Sequence, residues 1–288
     1  MRVLLLGSNG QLGTDLQQVA ADREDVELIP WTRDELNVED LEGIGAKLES
    51  VQFDVLVNCT SYHKTDEVED NGTKAVAVNA HAVREMAEAC HSSGARFVHI
   101  STDYVFPGTA DRPYRETDCP APINVYGISK YMGESLAQLT HDDTLIVRVA
   151  SLFGVAGASG KGGNFVETMI RLANDRGVLR VINNIRMSPT STEYVADNIF
   201  RLLEAWVAPG IYHVVNSGDA SWFEFAREIM RMMNLSVALQ PVTHDEFPSP
   251  AMRPFYSALS NARLIASGGT NEHWTEALGT YLSKKGYI

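Results

Sequence analysis

Five short apolar runs divide the first half of the chain: RVLLLG (2–7), VELIPW (26–31), DVLVNC (54–59), ARFVHIST (95–102) and DTLIVRVAS (143–151). They are nearly continuous in apolar residues rather than alternating, which is the pattern of parallel strands covered on both faces. Helical patterns separate them, after Gly10 and near 39–50, 75–93 and 123–140. Strand–helix alternation of this kind predicts an α/β fold, a Rossmann-type doubly wound parallel sheet. The second half is less regular. It suggests helices near 164–176 and 191–206, a further strand in IYHVVNSG, and an amphipathic helix in SWFEFAREIMRMM, where Ser221 and Glu224 have capping-box spacing. A boundary near residue 150 follows, with residues 1–150 as the sheet domain and 151–288 as a smaller, mostly helical part. The 191–216 stretch is expected to pack back on the first domain.

The opening MRVLLLGSNG is not a signal peptide, because its apolar run is brief and breaks into glycines without a cleavage site. No segment reaches the length of a membrane helix. A net charge of −13 over 288 residues argues against nucleic acid or an anionic membrane as partner. It leaves room for a small anionic molecule, since a few arginines can dominate one cleft. Cys59, Cys90 and Cys119 are odd in number and irregularly spaced, which fits reduced thiols in a cytoplasm better than a disulfide framework. The histidines show no metal-ligand spacing.

Gly7, Gly10 and Gly13, in GSNGQLG, follow the first apolar run and open a helix. Glycines there permit a tight turn and close approach of backbone to a pyrophosphate, with the phosphate at the helix N-terminus. The spacing is GxxGxxG rather than GxGxxG, so position after a first strand carries the reading. After the second strand come Thr32 and Arg33, with Asp34 beyond. An arginine there suits the 2′-phosphate of NADPH, whereas an acid would suit NADH. NADH stays open as the alternative. Gly160–Lys161 do not form a P-loop, because Val155 and Gly162 stand where glycine and a hydroxyl are needed. The small-residue stretch 155–164 reads instead as a mobile loop over a site.

In NVYGISKYMGE, Tyr126 and Lys130 are four apart in a helical pattern and share a face. A lysine ammonium beside a phenol favours the phenolate and would lower the tyrosine pKa. Ser101 and Thr102 end the fourth strand, the edge where open parallel sheets bind ligands. A hydroxyl there could bind a substrate oxygen.

The stretches GSNGQLG, STDYVFPG, YRETDCPAPINVYGISKYMGE, MSPTSTEYVADNI, SWFEFAREI and AMRPFYSALSNARL run nearly the length of the chain. In these the chain resembles the extended short-chain dehydrogenase/reductases and, within them, the dTDP-4-dehydrorhamnose reductase family. The resemblance implies NAD(P)H-dependent reduction of a 4-keto group on a nucleotide-activated deoxysugar, and leaves a homodimer open as an assembly. It assigns Thr102, Tyr126 and Lys130 as the catalytic set, with Tyr126 the proton donor and Lys130 also on the nicotinamide ribose. Gly7, Asn9, Gly10, Gln11 and Leu12 match the phosphate loop. Cys59, Thr60, Ser61 and Tyr62 match the segment lining the cofactor, with Arg33, Asn79 and Ser101 beside it. Asp103, Tyr104, Ser151 and Arg253 fall on the substrate side, Arg253 as partner of the diphosphate. Where sugar-nucleotide dehydratases carry Thr-Asp-Glu, this chain has Tyr104 in place of the glutamate, which disfavours elimination. Where the reductases carry R-T-S-W, it reads Arg148, Val149, Ala150, Ser151, so the aromatic wall against the sugar is replaced by a small hydroxyl. His63 and Lys64 are candidate substrate contacts in a divergent segment. A regulatory subunit like the β subunit of methionine adenosyltransferase, or an epimerase, are the alternative readings.

Overall fold

The computed structural model describes residues 1–157 and 163–288. The loop expected over 155–164 therefore lies partly outside the described residues, Gly160 and Lys161 included. The first half runs β1 (Arg2–Leu6), α1 (Gln11–Ala21), β2 (Glu27–Trp31), α2 (Leu41–Glu49) and β3 (Val55–Asn58). Two short helices follow, α3 (Thr65–Asp70) and α4 (Gly72–Val76), leading through a π-helical turn (Ala77–His81) into α5 (Ala82–Ser93). Then come β4 (Arg96–Thr102), α6 (Val125–Thr140) and β5 (Thr144–Val149). The second half contains α7 (Phe165–Asp175), α8 (Thr192–Glu204), α9 (Trp222–Met232), α10 (Ala262–Ala266) and α11 (Trp274–Lys284).

One six-stranded sheet, ordered Gly210–His213, β5, β4, β3, β1, β2, organises the chain. Every neighbouring pair in it is parallel. Alternate residues of β1 explain why its run is apolar throughout. Val3 and Leu5 face a core shared with α1 and α8, while Leu4 and Leu6 face one shared with α2 and α5. Both faces are covered, so no position can be polar without a partner. The chain leaves β1 toward β2 on one side and returns to β3 on the other. That reversal opens a crevice at the carboxyl ends of β1 and β3, where ligands bind in such sheets.

The strand Gly210–His213 pairs with β5, and the buried Thr192 hydroxyl at the start of α8 donates to buried Asp15 on α1. The remainder of the second half builds its own core. Phe153, Phe225, Trp274 and Tyr281 meet there between α7, α9 and α11. A parallel pair, Val178–Ile182 with Ala238–Val242, closes one side. α9 forms as its spacing predicts. Ser221 Oγ accepts from the Glu224 amide at 3.0 Å and Glu224 accepts from the Ser221 amide at 2.9 Å. Its buried residues Phe225, Ala226, Ile229 and Met230 return every turn, and each large one stabilises by about 1.5–3 kcal/mol on burial. Among the described residues no helix is long and apolar enough to cross a membrane.

Candidate active site

A cleft of about 940 Å³ runs along the carboxyl ends of β1, β3, β4 and β5. At one end Gly7 turns the chain out of β1 with φ +76°, and a Cβ there would lie 3.2 Å from the Cys59 carbonyl carbon. α1 then begins at Gly10 with no side-chain cap and no acid in its first turn. Its amides and positive pole are left facing the cleft, a site suited to an anion. Gln11 also lines the cleft, and its buried Oε1 has no hydrogen-bond partner. Cys59, Thr60, Ser61 and Tyr62 continue the wall, as does Asn9.

Arg33 stands at the far end, exposed, with Nη2 2.8 Å from Glu39. Lys74, which the sequence reading did not single out, reaches the same carboxylate at 3.1 Å. The hydrogen bond from Lys74 holds Glu39 below the usual carboxylate range, with Arg33 adding to it. Lys74 lies two turns beyond a loop of unremarkable composition, so only folding brings it to Arg33.

The chemistry-bearing groups meet at the other end. β4 finishes on Thr102, whose Oγ1 accepts from the Tyr104 amide at 3.2 Å and caps a short 3₁₀ turn over Asp103–Val105. The same hydroxyl donates to Asp103 Oδ1 at 3.0 Å and shares a hydrogen bond with Tyr126. α6 delivers Tyr126 because Asn124 caps it, accepting from the Gly127 amide at 2.7 Å. Gly127 is what lets the helix approach: a Cβ there would fall 2.2 Å from the Tyr104 carbonyl oxygen. The rings of Tyr104 and Tyr126 pack edge to face at 5.9 Å.

The electrostatics differ from the sequence expectation. Burial pushes the Tyr126 phenol well above its ordinary pKa, the Thr102 hydrogen bond offsets part of this, and Asp103 and Tyr104 add to it. Lys130 is not what sets it. Its Nζ turns inward, donating to the Ile100 carbonyl at 2.6 Å and lying 3.1 Å from His99 Nε2. Burial lowers the ammonium itself to about 8. Tyr126 is therefore a protonated phenol at neutral pH, a donor in its resting form.

Three other expected site residues occupy different positions. Ser101 borders the cleft, but its hydroxyl donates to Glu134, which is ion-paired with Arg148 at 2.6 Å beneath the sheet edge. Asn79 is fully buried and does not line the cleft. Its amide accepts from the Tyr62 backbone at 2.8 Å and donates to the Tyr62 carbonyl at 3.1 Å and Ser129 at 3.0 Å, so it clamps the cleft wall from behind. Arg253 is held by Asp66, with Nη2 2.9 and 2.8 Å from its two oxygens, and lies 5.9 Å from the Tyr104 ring rather than in the cleft. Burial raises Tyr104 to about 12, with Arg253 pulling it back. Ser151 does line the cleft, at a left-handed φ of 43°. The same cleft is also lined by an aromatic wall that the sequence reading missed: Phe165 and Trp222 at 4.6 Å, with Phe225 stacked on Phe165 at 5.4 Å. His63 and Lys64 are at the rim, Lys64 paired with Glu67 at 2.9 Å.

Asp103 is only 3% exposed, and its Oδ2 completes no hydrogen bond. Burial raises its carboxyl to about 6, with Ser257 and Thr102 nearby offsetting part of the rise. A raised carboxyl contributes most to stability below its unfolded pKa and loses that contribution as pH climbs through the folded value. Asp103→Asn keeps an Oδ1 acceptor for Thr102 and removes the charge. The variant is expected to be more stable than the parent by about 1–3 kcal/mol near pH 8 and unchanged near pH 4, measured by urea unfolding at both.

A family model described as RmlD substrate binding domain matches residues 1–286. The chain is 38% identical over 284 residues to the spore coat polysaccharide biosynthesis protein SpsK of Bacillus subtilis, covering 99% of this chain and 98% of that one. To a dTDP-4-dehydrorhamnose reductase of Streptomyces griseus it is 36% identical, over 96% of this chain and 91% of that one. The structure of a dTDP-4-dehydrorhamnose reductase from Bacillus anthracis, solved in complex with NADP, superposes with a TM-score of 0.92 at 35% identity, covering 98% of this chain and 99% of that one.

Proposed function

The chain belongs to the family of the RmlD substrate binding domain, and from that premise we propose that it reduces the 4-keto group of a nucleotide-activated 6-deoxysugar with NADPH. One observation carries the reading. An uncapped, glycine-opened helix start shares a single cleft with a protonated phenol that is hydrogen-bonded to a strand-end threonine.

The residues fit the dinucleotide: the uncapped start of α1 leaves its amides facing the cleft, and the orphaned Gln11 Oε1 offers an acceptor. Gly7, Asn9, Gly10, Gln11 and Leu12 would hold the pyrophosphate, and Cys59 to Tyr62 the wall beside it. Arg33 with Lys74 would hold an added ribose phosphate, and Lys130 the nicotinamide ribose. When bound, the reduced nicotinamide supplies hydride to the keto carbon. Tyr126 then gives its proton to the keto oxygen, and Thr102 orients both through the hydroxyl it shares with the phenol. A positioned proton donor of this kind contributes about 10²–10⁴-fold. Asp103, Tyr104 and Ser151 border the sugar end. Arg253 joins them only by exchanging Asp66 for a phosphate. With a tyrosine beside Asp103 rather than a second carboxylate, the acid and base that elimination requires are not paired, and simple reduction remains. Residues 1–150 with 191–216 would carry the cofactor and the rest of 151–288 the substrate.

The test mixes pure protein with NADPH and a panel of 4-keto-6-deoxysugar nucleotides while following nicotinamide absorbance. Turnover on one of them is expected, and no turnover on any defeats the proposal. Product without net oxidation would point to an epimerase. Arg33→Ala is expected to weaken NADPH by about tenfold, the loss of one charge-assisted contact, and to leave NADH unchanged. Fluorescence titration with each dinucleotide measures this. A cytoplasmic homodimer completes the proposal, since Ile128, Tyr131, Met132 and Leu139 are exposed on one face of α6; light scattering would then report twice the chain mass.

A further inference from the structure

Behind Lys130 lies a buried chain of polar groups that the reaction itself does not use. Asn58, at the end of β3, and His99, within β4, are both fully buried. Asn58 Oδ1 accepts from the Thr60 amide at 2.9 Å and the Thr60 hydroxyl at 2.6 Å. An amide N–H can only donate, so that contact decides which end of the Asn58 amide is the oxygen. Its NH₂ is thereby aimed at His99 Nδ1, 3.2 Å away. His99 Nδ1 must then accept. Burial holds the imidazole pKa well below its usual value, so the ring is neutral and carries its one proton on Nε2. That N–H faces Lys130 Nζ at 3.1 Å.

The proton count is now decisive. An ammonium has no lone pair and would set N–H against N–H; a neutral amine accepts from His99 and still donates to the Ile100 carbonyl at 2.6 Å. Every contact in the chain is satisfied with Lys130 neutral, and one is opposed with it charged. The other ionisable groups facing Lys130 do not reverse this. Glu134, on the same helix, is matched by Arg148 and by the Ser101 hydroxyl. Cys59 is pushed up to about 12 and stays a thiol, and Tyr126 stays a phenol. The lowered pKa of Lys130 agrees in direction.

We propose that Asn58 and His99 are positioning residues for Lys130, holding it inward as the neutral amine in the cofactor-free protein at alkaline pH, so that binding a nicotinamide dinucleotide there is coupled to uptake of one proton from solvent at Lys130. The proposal rests on the cofactor reading above and assigns the state of the lysine before the cofactor arrives. The dinucleotide's negative phosphates favour the ammonium, which loses its place against His99 and turns to the cleft.

Two measurements test it. In the cofactor-free protein, ¹⁵N spectra of labelled histidine should show His99 with a bare Nδ1 and a protonated Nε2; the opposite tautomer or an imidazolium overturns the proposal without any variant being made. Calorimetry of NADP⁺ binding near pH 9, in buffers of different ionisation enthalpy, counts the protons taken up. Close to one is expected for the parent and close to zero for Asn58→Asp, which reverses the tautomer and leaves Nε2 free to accept from the ammonium. Zero uptake by the parent, or equal uptake by the parent and Asn58→Asp, overturns it. Absence of any dinucleotide binding would instead defeat the cofactor reading, while the tautomer result would still decide the wiring of His99.

Discussion

Tyr126→Phe is expected to lower kcat by about 10²–10⁴-fold while leaving NADPH affinity within a factor of about two. The substitution deletes one oxygen. The ring remains edge-on to Tyr104 at 5.9 Å, and Gly127 still admits α6 against the 103–105 turn. What disappears is the proton donor and its hydrogen bond with Thr102. Because burial keeps the phenol protonated, the parent should hold its rate across neutral pH with no limb from Tyr126. Single-turnover kinetics with saturating NADPH separate the chemical step from binding. An unchanged rate in the variant would remove Tyr126 from the mechanism.

The second large effect concerns stability. Arg148 and Glu134 have side chains 0% and 1% exposed, with Arg148 Nη2 2.6 Å and Nε 2.9 Å from the two carboxylate oxygens. Ser101 donates to Glu134, while the guanidinium lies 5.1 Å from the centre of the Phe106 ring and 3.5 Å from His213. Arg148→Met fills much of the volume but strands a buried carboxylate. Removing one partner of such a pair costs about 3–5 kcal/mol. The double variant Arg148→Met, Glu134→Gln is expected to recover part of that loss, since the stranded charge is gone. Denaturant unfolding of the parent, both single variants and the double variant gives the coupling. Additive losses would mean that the pair is not held as a unit. The damage should also reach Thr102, the residue after Ser101, and appear as a raised KM before unfolding sets in.

Much of this was legible in the letters of the chain, and for identifiable reasons. Parallel strands covered on both faces must be apolar wherever a polar group has no partner, so RVLLL and the runs that form β3, β4 and β5 declare themselves, while the edge strand β2 shows Glu27 and Pro30 to solvent. Capping is a contact between neighbours in sequence, so Ser221–Glu224 could be read directly. Four residues on a helix span one turn, so Tyr126 and Lys130 had to share a face and border one cleft.

The positions that the structure engages elsewhere have one thing in common: their partners come from distant parts of the chain. Asn79 was expected at the cofactor and instead clamps Tyr62, seventeen residues away. Arg253 was expected on a diphosphate and is held by Asp66, 187 residues away. The aromatic wall of the cleft comes from α7 and α9, elements whose own periodicity shows only that one face is buried.

Local spacing alone thus determined the sheet, the glycine-opened helix start and the side of α6 that bears Tyr126 and Lys130, because each is settled by geometry over a few residues. Only the tertiary structure decided where Lys130 points, which of the strand-end hydroxyls meets Tyr126, and what keeps Tyr126 protonated. Those depend on burial and on which polar group finds a partner across the fold, and neither is written in the distance between two residues along the chain.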